Sequence, residues 1–241
     1  MIMLSRVANH LFWLGRYIER AEHLSRYLNV KYFSSLDAPM PEFKEFALNS
    51  ITDMVGISYE VKGELTEEEM LVAVALDDKN MSSILSSFFY ARENARATRD
   101  VLSGELWEAI NKGYHFINNY PVDVYKTKGL YDFCTNVIES CTIIRGKIDN
   151  TLLKDNVWYF LQLGMHLECA AQITRILLSQ WVDEEKLKAY KMGKYIDSYK
   201  WTTVLKVTEA DDMIRRIIKT SPNMNDTLEF LLFYPYFPKS I

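Results

Sequence analysis

The chain has 241 residues, a net charge of −4, 49% hydrophobic and 25% charged side chains, and only nine glycines and six prolines. Average usage would put glycine plus proline near roughly 12% of residues, about twice the share found here; the shortage excludes collagen-like and low-complexity classes and argues against sandwiches and barrels, which need many turn residues. The length suffices for one large or two modest domains with a substantial core, and the slight acidity gives no general attraction to nucleic acid or to acidic membranes.

Residues 1–21 carry Arg6, Arg16, Glu19 and Arg20, so no uncharged core of a signal peptide develops. Leu4, Val7, Leu11, Leu14, Ile18, Ala21, Ser25 and Leu28 recur at spacings of three and four and mark one face of a long first helix. Asp37-Ala-Pro-Met-Pro41 breaks the pattern, and Glu42 to Met54 resumes it. Thr66 followed by three glutamates reads as a helix start, with acids at the positive end of the dipole; that helix should run to about residue 76, before the polar turn Asp77-Asp-Lys-Asn80. Ser82 or Ser83 then caps a helix through about residue 102, and Ser103 opens another toward Asn118. Helical patterns continue over 122–153, 156–181, 185–216 and 223–234, broken near Gly193 and Pro222. The most apolar of them, 157–181, contains His166, Glu168 and Arg175 and so reads as a buried core helix before a membrane span. Cys134, Cys141 and Cys169, odd in number and within helical patterns, read as reduced packed thiols. The expectation is an all-α cytoplasmic protein.

An internal repeat is visible. Leu14-Gly-Arg-Tyr-Ile-Glu-Arg-Ala21 aligns with Leu163-Gly-Met-His-Leu-Glu-Cys-Ala170, and the match continues without a gap to Arg26 over Arg175 and Leu28 over Leu177. Asn80-Met-Ser-Ser-Ile84 likewise aligns with Phe237-Pro-Lys-Ser-Ile241 at nearly the same offset. This reads as a tandem duplication inside a single domain spanning 1–241, with a first copy of about 1–150 and a second, truncated copy of about 151–241.

No phosphate-binding glycine loop, zinc-protease histidine pair or nucleophile-elbow serine is present. A carboxylate-bridged di-iron bundle needs Glu and His three apart on one helix, twice; Glu19 and His23 stand four apart, and neither a metal nor a cofactor is expected. What remains is arginine and glutamate at core-side helical positions. Ser5, Ala8, Phe12, Gly15 and Glu19 form a seam in which Gly15 admits close approach of a neighbour, with Arg16 and Arg20 flanking the carboxylate. Leu85, Phe89, Arg92, Arg96 and Arg99 follow the spacing of another seam, with Trp107, Glu108 and Asn111 placed to line the same region. Like charges on one stripe repel, so something negative should face them: either Glu19, Glu93 and Glu168 in internal ion pairs, or a ligand carboxylate or phosphate gripped by the planar guanidinium forks. Merging of the two seams leads to the expectation that Glu19 pairs with Arg92 or Arg96 across facing helices.

Met3-Leu-Ser-Arg-Val-Ala-Asn-His-Leu-Phe-Trp-Leu-Gly-Arg-Tyr-Ile-Glu-Arg-Ala-Glu22 resembles the opening of the bacterial alpha-E family, all-helical proteins named for a Glu-Arg motif. Ala91-Arg-Glu-Asn-Ala-Arg96, with Arg99, Trp107, Glu108 and Asn111 after it, looks like that family's second signature, and Phe237-Pro-Lys-Ser240 is similar to a late Phe-Pro-Arg-Ser element. Met165 and Cys169 stand where the family's second repeat usually has arginines, and Lys239 stands for the late arginine.

The resemblance implies a non-catalytic accessory or substrate-binding module serving an ATP-grasp ligase or a transglutaminase-like peptidase in the formation or cleavage of peptide-type amide bonds. The residues it would use are Arg16, Glu19, Arg20, Arg92, Glu93, Asn94, Arg96, Arg99, Trp107, Glu108 and Glu168. The competing class is an enzyme using Glu19 as acid or base, with Arg16, Arg20, Arg92 and Arg96 orienting an anionic or peptide substrate; neighbouring arginines depress a carboxyl pKa, against that role. Residues 228–237 are rich in aromatic and aliphatic side chains with little charge, and exposed together they would exceed the apolar patch that monomers tolerate. A second subunit or the ligase is expected to cover them.

Overall fold

The computed structural model describes residues 3–37, 42–57, 65–187 and 194–241. Among them the secondary structure is helical, with no strand. The helices are α1 (Ser5–Leu36), α2 (Glu42–Met54), α3 (Glu67–Ala75), α4 (Ile84–Ala97), α5 (Gly104–Asn118), α6 (Leu130–Thr151), α7 (Asn156–Leu187), α8 (Lys194–Val207), α9 (Asp211–Ile217) and α10 (Met224–Phe233). A short helical turn (Val122–Val124) and a π turn (Tyr125–Gly129) lead into α6. The expected breaks at 38–41 and at Gly193 lie outside the described residues.

Helix α1 is the axis of the molecule. Ala21, Glu22, His23, Leu24 and Ser25 are all buried, and five consecutive buried positions place a helix inside its neighbours rather than on one side of them. Helices α7, α4, α6, α2 and α8 surround it. Helix α6 turns Phe133, Cys134, Val137, Cys141, Ile144 and Ile148 toward the core at helical spacing, and the Cys141 thiol reaches the Ile18 carbonyl on α1 at 3.6 Å. The three cysteines are buried, unpaired thiols.

The longest contact is between α1 and α7, and glycine makes it possible. A Cβ on Gly15 would collide with the Leu161 carbonyl oxygen of α7, and one on Gly164 with the Phe12 carbonyl oxygen of α1. Each glycine therefore lets the other helix's backbone touch its own.

Helix ends follow their caps. Thr66 and Glu69 form a reciprocal capping box at the start of α3, Ser83 rather than Ser82 accepts from the Ser86 N–H at α4, and Ser103 accepts from Leu106 at α5. Helix α4 stops at Ala97, short of the expected residue 102. The Thr98 hydroxyl turns back to the Asn94 carbonyl at 2.9 Å, its N–H has tightened to the Ala95 carbonyl, and Arg99 follows in the turn rather than on the helical stripe.

The expected helix over 185–216 is divided. Residues 185–187 end α7, and a further break separates α8 from α9. There Glu209 adopts φ 60°, while the Ala210 N–H bonds Leu205 O at 2.8 Å and the Glu209 N–H bonds Lys206 O at 3.3 Å. This is a Schellman termination with glutamate where glycine usually stands.

The C-terminal aromatic stretch is less exposed than its sequence implies. Phe230, Leu231 and Phe237 are buried, with the Phe237 and Tyr234 rings 4.9 Å and 5.0 Å from Phe230. Phe233 and Tyr236 stay in solvent. The chain folds back on its own helix, with the Ile241 N–H on the Leu231 carbonyl, and leaves Leu228, Leu232 and Tyr234 half-buried.

Candidate functional site

The residues singled out from sequence separate into two groups. The first is an internal lock between α1 and α7. Arg16 Nε donates to Glu168 Oε2 at 2.6 Å, and Arg20 reaches both oxygens of the same carboxylate, Nε to Oε1 at 2.8 Å and a terminal nitrogen to Oε2 at 3.2 Å. Gln172 adds a fourth donor at 2.8 Å. Spacing of four residues puts both arginines on one side of α1, where Arg16 lies over the Phe12 and Trp13 rings and Arg20 over Tyr17. Glu168 is wholly buried; burial alone would raise its pKa, and the Arg20, Gln172 and Arg16 bonds reverse this and hold it below the usual carboxylate range.

Glu19 faces another way, which corrects the expected pairing with Arg92 or Arg96. It points toward α6, where Arg145 bonds Glu19 Oε2 at 2.9 Å and also Glu22. His23 Nε2, one turn along α1, lies 3.2 Å from Glu19 Oε1. The cluster continues outward: Arg26 pairs with Glu22 at 3.4 Å and with Glu209 at 2.7 Å, and Lys239 pairs with Glu209. Burial pushes the Glu19 pKa up, but the His23 hydrogen bond and the Arg145 charge outweigh it and hold the carboxyl at about 2. Glu19 is therefore a fixed carboxylate, ill-matched to proton transfer near neutral pH.

Sequence reasoning missed Arg145 and Glu209. The signal for Arg145 was its place one turn after Cys141 and beside Ile144, on a helix whose inner stripe was otherwise apolar. Nothing local marked Glu209, because it acts through a chain reversal.

The second group forms a surface on α4 and α5. Arg92 Nε donates to Asn111 Oδ1 at 2.7 Å, and its guanidinium lies between the Trp107 and Tyr114 rings, 5.8 Å and 5.0 Å from their centres. Glu93 accepts from Arg92 at 3.1 Å and also pairs with Arg96. Arg99 also lies over the Trp107 ring, at 5.2 Å, and makes no ion pair among the described residues. Arg96 and Arg99 are exposed. Asn94 serves elsewhere, its amide bonded to the Tyr90 carbonyl and its oxygen 2.8 Å from His10 Nδ1 on α1. Glu108 is exposed and joins none of these contacts. The stacked Tyr17 and Tyr90 rings, 5.4 Å apart, connect the surface to the lock.

The chain belongs to the Alpha-E family, described as a predicted alpha-helical domain with a conserved ER motif, whose model matches residues 3–241. No curated protein and no solved structure matches it. Among the described residues no helix is long and apolar enough to cross a membrane.

Proposed function

We propose that this Alpha-E chain is a non-catalytic binding module that holds an anionic group, a carboxylate or phosphate of a peptide-type substrate or an acidic segment of a partner, against Arg92, Arg96 and Arg99. The supporting observation is the charge imbalance around α4 and α5, where Arg92 and Arg96 share the one carboxylate of Glu93 and Arg99 makes no ion pair among the described residues. Trp107 and Tyr114 hold Arg92 and Arg99 through ring contacts that consume no hydrogen-bond donors, and the exposed Arg96 and Arg99 can offer a two-pronged contact. Arg16, Glu19, Arg20 and Glu168 have the complementary role of fixing α1 against its neighbours. The partner in this reading is an ATP-grasp ligase or a transglutaminase-like peptidase in the cytoplasm, with the module presenting substrate for amide-bond formation or cleavage. The low pKa of Glu19 weighs against the enzyme alternative.

The same reading takes the chain as one domain built by tandem duplication, 1–150 and 151–241. Its support is that Gly15 meets Leu161 and Met165 while Gly164 meets Phe12 and Arg16, residues that are each other's counterparts in the internal alignment.

The test is binding of a poly-glutamate peptide and of pyrophosphate, followed by thermal shift and calorimetry. A ligand near a hundred times its Kd stabilises the folded state by about 2.7 kcal/mol, which raises Tm by several degrees in a chain of this size. Arg92→Ala and Arg99→Ala should each remove the shift while leaving the unliganded Tm within a few degrees. No shift with either probe at millimolar concentration, or an undiminished shift in both variants, overturns the proposal.

A further inference from the structure

We propose that Glu19, His23 and Cys169 form a site for a borderline-soft divalent cation, with zinc as the best fit. One donor atom from each residue lies within 4.8 Å of the other two. Tetrahedral donors around zinc sit roughly 3.5 Å apart, given metal–ligand distances of about 2.0–2.3 Å, so the set needs to contract by about an ångström, within reach of side-chain rotation. Carboxylate, imidazole and thiolate are all zinc donors, and three protein ligands leave a fourth position for water or an anion.

A second observation comes from His23. The ring is 1% exposed, and its Nε2 lies 3.2 Å from Glu19 Oε1, close to the roughly 3.5 Å between two donors on one tetrahedral zinc. Nε2 is thus the ring nitrogen that faces the carboxylate and would meet the cation. A cation between these two atoms takes the place of the proton that links them.

The site's origin is legible against the lock. In the internal alignment Glu19 corresponds to Glu168, His23 to Gln172, Arg20 to Cys169 and Arg16 to Met165. The Glu168–Gln172 bond thus has its counterpart in Glu19–His23. Around Glu168 the partners are two arginines; beside Glu19 the position corresponding to Arg20 supplies the Cys169 thiol, a donor that suits soft metals. Arg145 takes one Glu19 oxygen and leaves the other on the His23 side. The surrounding carboxylates, Glu19, Glu22 and Glu209, are matched by Arg145, Arg26 and Lys239, so a divalent ion with its thiolate brings one net positive charge and favours an anion in the fourth position. Burial keeps the Cys169 thiol protonated, at a pKa of about 12, and the cation must displace that proton, so uptake strengthens with pH.

Cobalt titration of the full chain under reducing, oxygen-free conditions tests this. The expected result is one equivalent bound with a thiolate-to-cobalt charge-transfer band and the strong visible absorption of a tetrahedral site, displaced by zinc. Cys169→Ser should abolish the charge-transfer band and His23→Gln should weaken binding at least tenfold, while Cys134→Ser leaves both unchanged. Should Cys169→Ser fold poorly, zinc-dependent protection of Cys169 from alkylation in the unmodified chain reads the same contact. Absence of the band with no zinc protection, or a band retained in Cys169→Ser, overturns the site.

Discussion

Gly15 and Gly164 are reciprocal: each occupies the spot on its helix where the other helix's main chain passes, with the Leu161 carbonyl against Gly15 and the Phe12 carbonyl against Gly164. One turn beyond this crossing the side chains diverge, to Arg16 and Arg20 meeting Glu168 on one side and to Glu19 meeting His23 and Arg145 on the other. The close approach sets the reach of both groups, because a wider separation would draw the arginines off Glu168.

Gly15→Ala and Gly164→Ala are therefore expected to destabilise the fold by about 3 kcal/mol or more, at or above the upper end of overpacking costs, since the obstacle is backbone. Gly146, in the interior of α6, has nothing near its would-be Cβ. Gly146→Ala should instead stabilise by about 0.5–1 kcal/mol through helix propensity. Urea unfolding of the three variants gives the comparison, and a neutral Gly15→Ala would mean that the helices do not touch there.

Glu168→Gln should cost about 3–5 kcal/mol, because it strands two partly buried guanidinium groups. Arg16→Ala should cost less, since Arg20 keeps a two-pronged contact. A double-mutant cycle between Arg20→Ala and Glu168→Gln should show coupling of about 1–3 kcal/mol; additive losses would contradict a direct pair.

Glu209 allows backbone and charge effects to be separated. Its φ of 60° is unfavourable for a side chain, yet its carboxylate joins Arg26 and Lys239. Glu209→Gly relieves the backbone while Glu209→Ala does not, so alanine should be the less stable by about 1 kcal/mol. Equal melting temperatures for the two would show that the turn carries no strain.

The helical layout was legible because it rests on local signals: apolar spacing over α1, the Thr66–Glu69 box, the serine caps, and the exact extent of Glu42–Met54. Gly15 also announced a close approach. The partner of Glu19 was not legible. Residues on one turn of α1 point to different neighbours, and which neighbour carries the opposite charge is a tertiary fact, so the seam containing Glu19 and the stripe containing Arg92 and Arg96 looked continuous although they face different helices. The early end of α4 was hidden for a related reason, since Thr98 bonds its own helix's carbonyl and leaves no glycine or proline to mark the stop.

The acid response follows from the same burial. Glu19 titrates at about 2 in the fold against an ordinary value of 4.5. A depressed carboxyl contributes stability that is fully present above its unfolded pKa and is lost as pH falls through the folded one, so Glu19 should supply about 3 kcal/mol at neutral pH that disappears between pH 5 and 2. Glu168 and Glu209 are shifted in the same direction and steepen the loss over that window. Arg145→Met removes the cation paired with Glu19 and Glu22 and lets the Glu19 pKa rise toward its ordinary range. The variant should therefore be less stable than the parent by about 3–5 kcal/mol at pH 7, and the gap should narrow steadily as the medium is acidified to pH 3, where the parent loses its own carboxylate contribution. Urea midpoints measured at each pH give both curves, and parallel curves with a constant gap would show that Arg145 stabilises by contact alone and not by charge.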